Sequence, residues 1–126
     1  MEHPMHFILA ASAALALSTA AIAADDIMAN YYGNTVIGKS AMGQSHTHYK
    51  ANHTFDAALS NDQGSMETDG TWALNDKGEL CRTYNTPVPG MPNPICVAWT
   101  AHKVGDSWQI TVNGRTSEVT LVAGIQ

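Results

Sequence analysis

The sequence predicts an all-β protein: an antiparallel up-and-down meander of about eight short strands forming a small barrel or curled sheet, led by a short helix. Three observations carry this expectation. From about residue 34 onward, apolar and polar residues alternate with a period of two. Asn, Asp and Gly interrupt that alternation at short intervals, as turns do. The connections are too short for parallel crossovers, so consecutive strands must be antiparallel neighbours.

The chain divides into three parts. Residues 1–23 read as a signal peptide: residues 7–23, FILAASAALALSTAAIA, are apolar or small and uncharged, and end in Ala21-Ile22-Ala23. Cleavage is expected after Ala23, with Ala24 as the next choice. The preceding MEHPMH has neither Lys nor Arg, which departs from the usual signal pattern. A retained anchor needs roughly 20 strongly apolar residues, and this run is rich in Ala, Ser and Thr. The expected location is the periplasm or outside the cell, with no membrane attachment after cleavage.

Residues 24–33 form the helical lead-in. Asp25 and Asp26 can cap a short helix through Ile27, Met28, Tyr31 and Tyr32, which Gly33 would stop. Residues 34–126 form the single β-domain. NTVIGK supplies its first strand, and HTHYK is followed by FDAALS across a turn at Asn52-His53, where Asn52 tolerates positive φ. Asn61-Asp62-Gln63-Gly64 leads into SMETDGTWAL, and Asn75-Asp76-Lys77-Gly78 joins this to ELCRTY. In PICVAWTAHK, Ile95, Val97, Trp99 and Ala101 share a face. After Val104-Gly105-Asp106, SWQITV and RTSEVTLV flank Asn113-Gly114, a strong two-residue hairpin signal. Trp72, Trp99 and Trp108 are the expected core aromatics, surrounded by Leu74, Leu80, Val97, Ile110, Val112 and Leu121.

Two cysteines, Cys81 and Cys96, remain after cleavage, and an even count in an exported chain reads as a disulfide. Thiolate metal binding would want C-x-x-C spacing, which is missing. Between the two lies TPVPGMPNP, residues 86–94, with four of the five prolines. Proline fixes φ and removes a donor, so this is a stiffened exposed loop rather than a central strand. The first reading is a long hairpin connection that needed stiffening; the alternative is a recognition tip, with Val88 and Met91 carried outward.

Function is less legible. A net charge of −5 and six scattered cations make no basic stripe, so nucleic acid is not an expected partner. No G-x-S-x-G, H-E-x-x-H or Gly-rich phosphate loop occurs, and the carboxylates show no pairing, so no enzyme and no cofactor are expected. His46 and His48 fall on one face of a strand and can reach one ion. With His102 they are the metal-ligand candidates for copper or zinc. Lys50 on the same face opposes a cation, and a hairpin turn already explains His53.

The combination GTWALNDKGELC, a second Cys, VGDSWQI and EVTLVAGIQ resembles small exported proteins of unassigned function from Gram-negative bacteria. Their pattern runs F-x-x-D-G-T-F, G-T-W, G-x-L-C, C, V-G-D-x-W. The likeness spans residues 34–126, except that NHTF and DAAL replace the usual Asp-Gly turn. It implies a periplasmic β-meander and supplies no activity or site residues. The expectation is therefore a non-enzymatic binding module for a small apolar ligand or a protein partner, with copper or zinc binding as the alternative. An interior filled by the three tryptophans would favour a protein partner; a lined cavity of a few hundred cubic ångströms would favour a small ligand.

Overall fold

The computed structural model describes residues 27–126, so the expected signal segment and the Asp25 and Asp26 cap lie outside the described residues. Eight strands follow, as the alternation predicts: β1 (Thr35–Ser40), β2 (Gly43–Tyr49), β3 (Thr54–Asn61), β4 (Gly64–Leu74), β5 (Glu79–Tyr84), β6 (Ile95–Ala98), β7 (Ser107–Val112) and β8 (Arg115–Val122). Every pairing is antiparallel. The order β6-β5-β4-β3-β2-β1-β8-β7 makes one sheet. The last hairpin thus returns to pair β8 with β1, for example Val36 with Leu121. The sheet curls into a nearly closed barrel whose seam lies between β6 and β7, which touch without forming a ladder.

The turns form as their residues dictate. Asn113 and Gly114 both have positive φ, 52° and 76°, as a type I′ turn requires. The Asn75 carboxamide oxygen accepts from the Lys77 and Glu79 amides, and Gly78 takes φ 77°. At the β2–β3 turn the strained residue is His53, with φ 67°, rather than Asn52. Asn52 instead accepts from the Thr54 amide, and His53 stacks on Trp72 with ring centroids 4.1 Å apart. A ring contact thus offsets the backbone cost of a left-handed non-glycine residue.

Strand alternation sorts the side chains. Thr47 and Tyr49 turn inward while His46 and His48 turn outward; Leu80, Arg82 and Tyr84 turn inward while Cys81 turns outward. Gly70 is required on β4. A Cβ there would sit 1.9 Å from the Thr83 carbonyl oxygen and 3.0 Å from the Phe55 ring. Gly70 pairs with Phe55 on one side and Tyr84 on the other, and those two rings meet edge-to-face at 5.2 Å. The bare backbone lets two aromatics close over it.

A meander puts alternate turns at opposite ends. The β1–β2, β3–β4, β5–β6 and β7–β8 connections share one end; the lead-in, the β2–β3, β4–β5 and β6–β7 connections and the last residues share the other. Aromatics plug the second end. Tyr31, fully buried, packs against Tyr49, Trp99 and Trp108, and its hydroxyl donates to the Thr100 carbonyl at 2.7 Å. Trp72 and Trp99 are buried as expected, whereas Trp108 is only half-buried and stacks on His102 at 3.7 Å. The largest fully buried side chains are Tyr31, Tyr49 and Phe55, none of them among the expected core.

Candidate ligand-binding cavity

With its aromatics drawn to one end, the barrel is not filled. A half-open cavity of about 720 Å³ runs from the plug to the opposite turns. Inward residues of β1, β2, β6, β7 and β8 form its walls, among them Val36, Thr47, Val97, Ile110 and Val119, with Leu59 from β3. Tyr49 and Trp99 belong to both plug and cavity and make its floor. Met42, Gln63 and Asn113 rim the mouth at the turn end. This volume falls in the range of about 300–1,000 Å³ typical of small-molecule sites.

One charged side chain faces this interior from the middle of β5. Arg82 lies between buried Leu80 and Tyr84 on the inward face and lines the cavity. It is enclosed by neighbouring atoms yet keeps part of its surface open, as expected of a group facing a hollow rather than packed core. Its guanidinium lies beside Tyr49 and 5.9 Å from the Tyr84 ring centroid. Burial pushes the Tyr49 hydroxyl above its ordinary value, with the Tyr84 hydroxyl adding to this and the nearby Arg82 opposing it. Tyr49 therefore stays neutral. Two buried donors of wall residues, Arg82 Nε and Trp99 Nε1, have no hydrogen-bond partner among the described residues.

The proline-rich loop closes over the same space. Val88 and Met91 were expected to project outward; instead Val88 is buried, Met91 is partly buried, and both line the cavity. Hydrogen bonds within the loop and back to its base are the reason. The Met91 amide bonds the Val88 carbonyl, Gly90 takes φ 80°, and Asn93 exchanges two hydrogen bonds with the Tyr84 backbone. That clamp folds the loop back on β5. On the outer face, Cys81 and Cys96 are paired across β5 and β6 and joined by a disulfide, as expected.

The histidines are elsewhere. His46 and His48 share the outer face of β2, and each has a protein partner. His46 Nε2 meets the Gln44 amide at 2.7 Å; His48 Nδ1 meets Asp56 at 2.6 Å and its Nε2 meets the Gln126 carbonyl at 3.2 Å. Lys50 shares the same carboxylate at 3.2 Å. Burial would raise the Asp56 carboxyl, but hydrogen bonds from His48 and Lys50, and their charge, hold it below its ordinary value. His102, in the β6–β7 connection, pairs with Asp106 at 3.2 Å and stacks on Trp108. Among the described residues no group of three or more His, Cys, Asp or Glu side chains is placed to hold a metal ion.

Sequence reasoning did not single out Arg82, Tyr49 or Trp99 as site residues. A signal was present: arginine at the inward position of L-C-R-T-Y breaks the alternation that puts polar residues outside. No curated protein and no solved structure matches the chain. Residues 5–107 match a protein family of unknown function, DUF995. The match reaches further toward the N-terminus than the residue 34 start of the motif likeness and stops at the start of β7. Covering well over half of the 126 residues, it shows that the chain belongs to the DUF995 family of proteins of unknown function.

Proposed function

We propose that the protein is an exported, non-enzymatic binding module that holds a small, largely apolar molecule inside its barrel. The cavity of about 720 Å³ carries this reading. It lies in a barrel whose three tryptophans sit toward one end instead of filling the interior. The proline-rich loop supports the small ligand over a protein partner, since Val88 and Met91 turn to the cavity. Export rests on the apolar segment at residues 7–23, and the disulfide is compatible with an oxidising compartment.

Binding is read by the emission of Trp99, which lines the floor. Titration with an uncharged apolar probe such as dodecanol should shift or quench tryptophan emission saturably, with one site per chain. Ser117→Phe puts a ring into the cavity from a half-buried position on β8. It should abolish that response while leaving the melting temperature near that of the parent. A saturating response that survives Ser117→Phe in a folded protein would place the probe elsewhere and end the reading.

A further inference from the structure

We propose that the barrel takes an amphipathic monoanion, a long-chain carboxylate, with its head group on Arg82 and its tail toward the mouth. This rests on the small-ligand reading and specifies the ligand's chemistry.

The cavity's charge is opposite to the molecule's. The chain has eleven Asp and Glu against six Lys and Arg. Yet among the described residues the cavity is lined by two arginines, Arg82 and Arg115, and by no acidic side chain. Arg82 is the inner one. Arg115 follows the β7–β8 turn at the rim, where it bonds the Met42 sulfur at 3.2 Å. An enclosed cation normally sits beside a carboxylate, because leaving it unpaired forfeits its hydration. The ion pairs among the described residues join His48 and Lys50 to Asp56 and His102 to Asp106; none includes Arg82. Its compensation within the protein is a neutral hydroxyl and a ring face. Both leave the charge uncancelled.

The surrounding chemistry selects the anion. Guanidinium presents a planar fork that fits a carboxylate with two parallel hydrogen bonds. The neutral Tyr49 hydroxyl, also in the cavity lining, is a further donor beside it. From there to the mouth, Val97, Ile110, Val112, Val88 and Met91 give apolar wall for a chain. A free inorganic anion would leave this wall unused. A neutral lipid would leave the charge unpaired.

The experiment compares dodecanoate, dodecanol and dodecyltrimethylammonium on the full protein, read by tryptophan emission and by calorimetry. Dodecanoate is expected to bind about tenfold or more tighter than dodecanol, the scale of a charge-assisted hydrogen-bonded pair, and the ammonium more weakly than either. Arg82→Met keeps the length and apolar contacts of the side chain and should erase the carboxylate's advantage while dodecanol still binds. Arg82→Lys, which keeps charge without the fork, should retain part of it. If Arg82→Met does not fold, the wild-type ranking decides alone. Equal affinity for dodecanoate and dodecanol overturns the head-group assignment and leaves the cavity reading intact. Failure of all three probes to bind overturns both.

Discussion

Gly70 shows how one position can hold a barrel wall together. Its missing side chain makes room for the Thr83 carbonyl and lets the Phe55 and Tyr84 rings meet over the strand. Gly70→Ala therefore forces backbone apart instead of filling space. The expected loss is about 1–3 kcal/mol in urea unfolding, the range for overpacking; an unchanged midpoint would show that β4 and β5 yield at no cost. Asp56 makes a smaller contribution with a defined pH sign. Its folded-state carboxyl is held low by His48 and Lys50, so the stabilisation is present above the unfolded value of about 3.9 and fades as pH falls through the folded one. The carboxylate is 44% exposed, so solvent screening keeps the contribution below about 1 kcal/mol. Asp56→Asn should lower the neutral plateau of a stability-versus-pH curve by less than about 1 kcal/mol and flatten its acid limb, the two curves converging in strong acid. An equal loss at pH 7 and pH 3 would contradict the ion-pair account.

At the scale of elements, what was legible in the sequence depended on whether the determining contacts are local. Turns are local. Asn113-Gly114 and the residues 75–78 turn are set by the φ and side-chain acceptors of two to four residues, so they read correctly. The direction of the proline-rich loop is not local, because Asn93 reaches back nine positions to clamp Tyr84, and proline spacing carries no sign of it. Val88 and Met91 consequently point opposite to expectation. The core was misjudged for a related reason: tryptophans stood out by size, while Tyr31 and Tyr49 are buried by a plug that only tertiary closure creates. The β5–β6 hairpin joins local and non-local constraint. Its disulfide spans 15 residues and ties the loop that roofs the cavity. Replacing both cysteines by serine should cost about 3 kcal/mol in denaturant unfolding by the loop-entropy account. It should also speed proteolysis within residues 85–94 beyond any other segment. Loss of stability spread evenly, with the loop no more cleavable, would mean that the Asn93 clamp alone sets its position.

For the whole molecule, a sequence of alternating strands specifies sidedness but not closure. Whether eight strands leave a cavity depends on the tilt and stagger of the sheet, which no single segment encodes. Here closure comes from β8 pairing with β1, and the unpaired edges fall at β6, four residues long, and β7. Short edge strands limit exposed backbone donors and acceptors. What bridges this seam is aromatic. Trp99 and Trp108 meet at 6.2 Å with planes at 81°, Tyr31 touches both, and His102 stacks on Trp108. Side-chain packing there replaces the missing ladder, so the seam should be the least protected part of the sheet. Trp108→Ala removes the bridge on the β7 side. Because Trp108 is half-buried, the cost should be about 2 kcal/mol, under the roughly 3–5 kcal/mol of a fully buried aromatic. In hydrogen exchange, β6 and β7 amides should already exchange faster than those of β2 and β3 in the parent. The variant should accelerate β6 and β7 selectively, with β2, β3 and β4 shifted only by the global loss. Since the cavity floor includes Trp99 on that seam, the same variant should loosen retention of the proposed ligand, seen as a faster off-rate with association little changed. Uniform acceleration across all eight strands would instead show that the barrel opens only by complete unfolding, with no weak line at its seam.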